Sequence, residues 1–327
     1  KDFSKVPNLI YRQNGKITIN QPFYSENINQ LPAPNYDGFP LELYLSPEPV
    51  LPVQFSRGCY YKDCAFCALT LDHQNFRQKE PGRTVEELTW LKERYGAQRF
   101  FFTDECVALS PAKRLCQQII DRRLDIKWTC EMRFEKHLTR ELLSSMREAG
   151  CLKIVFGLES FNQRVMDFMK KGIKQEWVRR IAGDCVDLGI AVHCYIIVGF
   201  PTEKEEEARE TMNFIVENER LHNSYGFSCQ PCLFDLEKEA PIMSDPGSYG
   251  IRRIMRPSAE DLSLGFFYEV SEGMTPDEAE RLYQHVYEKV SEVVCELPFN
   301  YSMADGLLYI ARAKAQQVRE PQPAGSS

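Results

Sequence analysis

The chain has 327 residues, of which 43% are hydrophobic and 27% are charged, a composition typical of a globular protein with one large domain and a smaller addition. Its formal charge of −7 disfavours a protein whose main task is to bind nucleic acid, because such proteins carry a basic stripe. No apolar run is long enough to span a bilayer and no signal peptide is visible, so the 12 cysteines predict a cytoplasmic protein and not a disulfide framework.

Residues 1–49 are rich in Pro, Asn and Tyr and are predicted to form an extended lead-in. Between residues 50 and 235, short apolar runs alternate with amphipathic stretches, which predicts βαβ units. The predicted strands cover residues 52–55, 99–103, 126–132, 153–156, 191–198 and 226–232. The predicted helices cover residues 84–95, 111–123, 139–149, 174–188 and 203–219. Because six units are too few for an eight-fold barrel, we expect an α/β fold with a partial (β/α)6 TIM-like barrel, and a doubly wound sheet is the alternative.

Local signals define several helix ends. Thr84 with Glu87 is typical of a capping box, and Ser110 before a proline is typical of an N-cap. Three glycines stand where helices need a left-handed residue to end. They are Gly96, Gly150 and Gly189. Residues 236–327 are predicted to be a separate, mainly helical region that starts with a loop over 235–257. Its first helix opens at a second capping box, Thr275 with Glu278, and a last helix over 303–317 precedes a disordered tail.

The densest chemical signal is a group of three cysteines directly after the first predicted strand. Cys59, Cys64 and Cys67 lie within nine residues of one another. Three thiolates on one loop can hold three irons of a 4Fe–4S cluster and leave the fourth iron open, and an open iron can bind a substrate. The spacing therefore predicts a catalytic iron–sulfur cluster.

Three other interpretations of these cysteines stay open. Zinc would need a fourth ligand, for which His73 is the nearest candidate. A 2Fe–2S centre shares the C-x4-C-x2-C spacing and would use a distant cysteine such as Cys106. The three residues could also be core cysteines that are close by chance. Cys229 and Cys232 are too few for a second cluster and are predicted to be structural, with Cys229 facing the interior of the barrel.

The cysteine motif and the β/α alternation together resemble the radical S-adenosylmethionine (radical SAM) superfamily. The usual motif of that family is C-x3-C-x2-C, and this chain has one more residue between its first two cysteines. The Arg-Gly-Cys-Tyr-aromatic run from Arg57 to Tyr61 is similar to a branch that often carries a cobalamin-binding domain before the barrel. We expect no such domain within this chain. The resemblance implies a 4Fe–4S cluster and SAM as cofactors. Two alternatives stay open for cobalamin: a domain outside the chain supplies it, or the protein works without it.

The resemblance also implies which residues contact SAM, all but one of them at the ends of predicted strands. Asp104 or Glu105 is expected to bind the amino group and Arg133 the carboxylate. Glu159 and Ser160 are expected near the ribose or carboxylate. The turn with Gly199 and Pro201 is expected to approach the adenine, and so is Phe66, beside the last cluster cysteine.

By resemblance, the protein is an enzyme that reductively cleaves SAM to a 5′-deoxyadenosyl radical and modifies, by methylation in one version, a peptide or natural-product precursor. Its partners would be SAM, that substrate and an electron donor such as a flavodoxin or ferredoxin, with no membrane and no nucleic acid. One alternative is a tRNA-modifying radical SAM enzyme similar to the methylthiotransferases. A second is a non-catalytic iron–sulfur or zinc-binding protein.

Overall fold

A six-stranded parallel sheet forms the centre of the molecule. The computed structural model describes residues 2–21, 27–44, 48–68, 76–218, 226–256 and 265–293. The strands are β1 (Ile10–Gln13), β2 (Lys16–Ile19), β3 (Val50–Val53), β4 (Ser56–Arg57), β5 (Arg77–Gln78), β6 (Arg99–Phe102), β7 (Lys127–Met132), β8 (Cys151–Glu159), β9 (Ala191–Val198), β10 (Phe227–Leu233), β11 (Leu236–Glu237), β12 (Ile251–Met255) and β13 (Gly265–Val270). The α-helices are α1 (Pro81–Tyr95), α2 (Leu109–Asp121), α3 (Arg140–Glu148), α4 (Gln163–Phe168), α5 (Gln175–Asp187), α6 (Glu205–Val216) and α7 (Pro276–Val293).

The order of the strands decides between the two predicted architectures. Across the sheet the order is β10-β9-β8-β7-β6-β3, and every neighbouring pair is parallel. The strands thus follow the chain without the reversal that defines a doubly wound sheet. The α/β fold with a partial TIM-like barrel is confirmed, and each predicted strand and helix of the barrel overlaps an observed one.

Each strand turns one face to the helices and the other to the open side of the sheet. In β7, Trp128, Cys130 and Met132 are buried in the main core, whereas Thr129 and Glu131 on the other face are only half-buried. Apolar residues of α1, α2, α3, α5, α6 and α7 fill the same core. The opposite, open face of the sheet therefore carries polar residues at the carboxyl ends of the strands. This face is called the concave wall below.

Two predicted helix starts were wrong, although the helices themselves were right. Helix α1 begins at Pro81, three residues before the predicted capping box, and Glu87 forms a buried ion pair with Lys79 at 2.7 Å instead. Helix α2 begins at Leu109 after Ala108, so Ser110 is inside the helix. The left-handed glycines are confirmed. At Gly150 (φ +94°) a side chain would overlap the carbonyl of Ile126.

The region after residue 235 contains a small sheet that the sequence did not predict. Strands β11, β13 and β12 form an antiparallel sheet, and residues 241–249, expected to be a loop, form two 3-10 helices. The second capping box is confirmed, since Thr275 and Glu278 exchange hydrogen bonds before α7. The predicted last helix and tail lie outside the described residues, and the division into three regions stays a prediction. No helix within the described ranges is long and apolar enough to cross a membrane.

Candidate functional site

Two acidic residues fix the start of the loop that carries the three cysteines. Asp104, which follows β6, is buried and accepts hydrogen bonds from the backbone N–H groups of Phe55 (3.0 Å) and Ser56 and from the Ser56 hydroxyl (2.6 Å). The next residue, Glu105, accepts a hydrogen bond from the N–H of Gly58 at 2.9 Å. Both carboxylates therefore tie the cysteine loop to the carboxyl end of β6.

A second segment, Met169–Gly172, holds the other side of the loop. The Ala65 N–H donates to the Met169 carbonyl at 2.9 Å, and the Tyr61 hydroxyl donates to the Lys170 carbonyl at 2.9 Å. Gly172 (φ +66°) has no side chain, and a Cβ there would overlap the Tyr61 hydroxyl. These contacts fix the cysteine loop between the ends of β6 and of α4.

The surroundings of Cys59 favour its ionised form. A hydrogen bond from Cys106, backbone hydrogen bonds from Tyr61 and Lys62 and the charge of Arg133 lower the pKa of the Cys59 thiol to about 6, against the opposing effect of burial. The thiolate is the form that binds metals, so Cys59 is prepared to be a ligand. Cys64 is buried, and its burial raises the pKa of its thiol while the charges of Lys171 and Arg133 oppose that change.

Two buried cations lie beside Cys64. One guanidinium nitrogen of Arg133 is 3.8 Å from the Cys64 sulfur, another donates to the Lys171 carbonyl, and the guanidinium stacks 3.4 Å from the centroid of the Tyr61 ring. The Lys171 ammonium is 2.8 Å from the Glu159 carboxylate, and both side chains are less than 10% exposed. Glu159 has a φ of +64°, a strained conformation for a residue with a side chain and one that clusters at functional sites.

The concave wall continues the site away from the cysteines. The Tyr195 hydroxyl donates to the Glu131 carboxylate at 3.2 Å. Burial and the nearby acidic groups Glu105, Glu159 and Asp104 raise the pKa of Glu131 to about 7 despite that hydrogen bond.

The two cysteines of β10 lie on opposite faces of the sheet. The side chain of Cys232 is exposed on the concave wall, whereas Cys229 belongs to the core under the helices. The prediction that Cys229 faces the barrel interior was therefore wrong.

Three further residues predicted to contact SAM are buried in the fold. Ser160 is buried, and its hydroxyl is 3.1 Å from that of Thr211 in α6. Gly199 (φ +83°) makes room for Ala279 of α7, which a side chain at 199 would overlap, so packing alone requires this glycine. Pro201 is buried in the same turn. Their contacts with SAM stay a prediction, and so do those of Asp104, Glu105, Arg133 and Glu159.

Phe66 was predicted from the sequence to be a site residue, whereas Lys171 was not. Phe66 directly precedes Cys67, and its ring centroid is 5.5 Å from the Lys171 ammonium. Its approach to the adenine stays a prediction. Lys171 was not predicted, because Lys170-Lys171-Gly172 has the pattern of a solvated turn. The only signal for it is the glycine at 172, which marks a close approach of another group.

The arrangement fits a cubane cluster better than the alternatives. Within the part of the chain that the structure describes, no three His, Cys, Asp or Glu side chains converge closely enough to hold one metal ion, and His73 lies outside that part. In a cubane cluster each thiolate binds a different iron, so such convergence is not needed. Cys106 lies beside Cys59 as the 2Fe–2S alternative would require, but its hydrogen bond to Cys59 and its burial raise the pKa of its thiol well above the usual value, which opposes the thiolate form that binds metals.

Comparisons with known proteins agree with this fold and identify a family. The family model of the radical SAM superfamily matches residues 53–215. An uncharacterised methyltransferase of Pyrococcus horikoshii is 29% identical over 219 residues, which are 65% of this chain and 47% of the relative. The anaerobic magnesium-protoporphyrin IX monomethyl ester cyclase of Rubrivivax gelatinosus is 29% identical over 160 residues, which are 48% of this chain and 29% of the relative. The chain therefore spans half or less of the length of these relatives.

Two solved structures share the architecture. The radical SAM methyltransferase TsrM of Kitasatospora setae has a TM-score of 0.61 at 18% identity, over 86% of this chain and 57% of that one. The cobalamin-dependent radical SAM enzyme OxsB has a TM-score of 0.65 at 16% identity, over 87% of this chain and 47% of that one. The family model and the cysteine loop together define the class, which is that of proteins that combine an iron–sulfur cluster with a nucleoside cofactor. The chain belongs to the radical SAM superfamily, whose cofactors are SAM and a 4Fe–4S cluster.

Proposed function

We propose that the protein is a radical SAM methyltransferase that acts on a peptide or natural-product precursor, and that Cys59, Cys64 and Cys67 hold its cluster. The observation that carries this proposal is the cysteine loop itself, which is fixed by Asp104 and Glu105 at the carboxyl ends of the parallel strands. That edge of the sheet is where barrel enzymes place their active sites.

The charges around the loop match those of SAM. SAM carries a sulfonium, an ammonium and a carboxylate, so its site needs acidic groups and at least one cation. Glu105, Glu131 and Glu159 supply the acidic groups, and Arg133 supplies a cation next to Cys64. Arg133 is the residue we expect to bind the SAM carboxylate, because a guanidinium can bind a carboxylate through two nitrogens.

When bound, the reduced cluster supplies an electron, and SAM supplies an adenosyl group and a methyl group. The residues of this chain bind, orient and exclude water. Phe66 and Tyr61 cover the charged groups beside Cys64, and Glu131 with Tyr195 offers a hydrogen-bonding pair to the substrate on the concave wall. With a pKa near 7, Glu131 can accept or donate a proton at neutral pH.

The relatives support methyl transfer and a small substrate. They include a bacteriochlorophyllide d C-12(1)-methyltransferase of Chlorobaculum tepidum and a cytidylyl-2-hydroxyethylphosphonate methyltransferase of Streptomyces wedmorensis. Because the OxsB structure contains cobalamin, we include cobalamin, bound outside the described residues, among the proposed cofactors. A flavodoxin or ferredoxin is the proposed electron donor.

The test is product analysis after anaerobic reconstitution with iron and sulfide, reduction and incubation with SAM. We expect 5′-deoxyadenosine from the wild type and from Cys232→Ala, and none from Cys64→Ala. With substrate candidates and cobalamin present, S-adenosylhomocysteine should accumulate, because it is what remains of SAM after methyl transfer. Methionine and 5′-deoxyadenosine without S-adenosylhomocysteine would contradict the methyltransferase proposal and leave a radical enzyme of another type.

The alternative is a tRNA-modifying enzyme, and methylthiolated RNA among the products would favour it. A putative methylthiotransferase of Methanocaldococcus jannaschii, 25% identical over 229 residues, is the relative that supports this alternative.

A further inference from the structure

Cys64 is the most buried of the three cysteines of the loop. It is 8% exposed, whereas Cys59 and Cys67 are half-buried. Of the charges that act on its thiol, that of Lys171 has the largest effect and that of Arg133 the next. Because these groups are buried, water and salt screen their charges only weakly.

The position of the Lys171 charge is fixed on several sides. Glu159 binds its ammonium at 2.8 Å, and the Phe66 ring lies 5.5 Å away. Gly157, on the neighbouring part of β8, leaves the space that the pair occupies, since a Cβ there would be 2.6 Å from the Glu159 carboxylate and 2.7 Å from the Lys171 ammonium. The Lys171 carbonyl accepts a hydrogen bond from Arg133. These contacts hold the ammonium at the end of β8, from where its charge acts on Cys64.

We propose that Lys171, oriented by Glu159, raises the reduction potential of the cluster through Cys64, and that Glu159 is a positioning residue that also moderates this effect by its own charge. The inference rests on the proposed function, since it assigns Cys64 to the cluster. In the step concerned, a low-potential donor loses one electron and the cluster gains it, and no bond changes. A nearby positive charge stabilises the additional electron, and a negative charge destabilises it.

The experiment is an EPR-monitored potentiometric titration of the reconstituted full chain with four variants. Lys171→Met should shift the midpoint potential to a more negative value, and Glu159→Gln should shift it to a more positive value. Lys171→Arg keeps the charge and should stay near the wild type. Lys174→Met is the matched control, because Lys174 forms a similar ion pair with Asp167 at 3.1 Å but is 46% exposed. Its potential should not change.

The two variants are predicted to shift the midpoint potential in opposite directions, which distinguishes the proposal from a purely structural role of the ion pair. If breaking the pair merely disturbed the loop, Lys171→Met and Glu159→Gln would shift the potential in the same direction, and that result would overturn the proposal. Unchanged potentials in both variants would overturn it as well. If Lys171→Met fails to fold, the double variant Lys171→Met/Glu159→Gln replaces it, and its potential should lie below that of Glu159→Gln alone. Wild-type protein that binds no iron and sulfide would instead contradict the proposed function.

Discussion

The Glu159 carboxylate and the Lys171 ammonium form a buried ion pair, 2.8 Å apart, in a space that Gly157 leaves open on β8. The pair joins the end of β8 to the Met169–Gly172 segment, which in turn holds the cysteine loop through Ala65 and Tyr61. Replacement of Gly157 by Ala is therefore the smallest change that disturbs this connection.

Gly157→Ala should lower the free energy of unfolding by about 1–3 kcal/mol, the usual range when a group is added to a filled interior. Gly38→Ala is the matched control, because a Cβ at Gly38 would have no neighbour within 4 Å. It should be neutral or stabilise by up to about 1 kcal/mol through the unfolded chain. Urea denaturation of both variants checks the difference, and equal stabilities would show that the pair moves aside freely.

Asp104→Ala distinguishes a loop anchor from a SAM contact. The substitution leaves the buried N–H groups of Phe55 and Ser56 without their acceptor, so we expect a loss of about 2–5 kcal/mol in the free energy of unfolding. Ser56→Ala removes only the hydroxyl donor and should cost about 1 kcal/mol. Denaturation and SAM titration by calorimetry are measured on the same samples. A variant of wild-type stability that no longer binds SAM would show that Asp104 serves the amino group instead.

The buried pair of Lys79 and Glu87 should matter more than any exposed pair. Both side chains are at most 5% exposed, so Glu87→Ala leaves the Lys79 charge buried and should cost about 3–5 kcal/mol. Glu205→Ala breaks an exposed pair with Arg209 of similar length, 2.6 Å, and should cost less than about 1 kcal/mol. Unfolding free energies in urea compare the two directly. Similar values for both variants would mean that the Lys79 ammonium reaches water after the change.

Glu203 should make the fold less stable as the pH rises. Burial raises the pKa of this carboxyl to about 8, against a hydrogen bond from the Gly199 N–H at 2.7 Å. Between its unfolded pKa of about 4.3 and a pH of about 8, only the unfolded chain loses the proton, so ionisation stabilises the unfolded state. Glu203→Gln removes this effect. Relative to the variant, the wild type should lose up to about 1.4 kcal/mol per pH unit over this window. If the unfolding free energies of wild type and variant change in parallel between pH 5 and pH 8, the prediction is wrong, because Glu203 is then already ionised in the folded state.

The alternation of apolar and amphipathic segments predicted the barrel, and the spacing of three cysteines predicted the cysteine loop. Both patterns are local in the sequence. The helix starts failed where two local signals competed. Thr84 and Glu87 match a capping box, but Pro81 allows an earlier start, and Lys79 binds Glu87. Lys171 could not be predicted, since its burial depends on Glu159, Gly157 and Cys64, which are distant in sequence. The antiparallel sheet of β11, β12 and β13 was missed because its strands are short and because β11 pairs with β13, which is distant in sequence.

The most direct test of the cluster assignment is low-temperature EPR of the reconstituted, reduced protein with and without SAM. We predict about one 4Fe–4S cluster per chain, with a signal that shifts when SAM binds the open iron. The signal should be lost in Cys59→Ala, Cys64→Ala and Cys67→Ala. It should be kept in Cys232→Ala, because Cys232 lies on the concave wall with its thiol hydrogen-bonded to the Ile196 carbonyl. A 2Fe–2S signal that ignores SAM, bound zinc without iron, or an equal loss in Cys232→Ala would contradict the account.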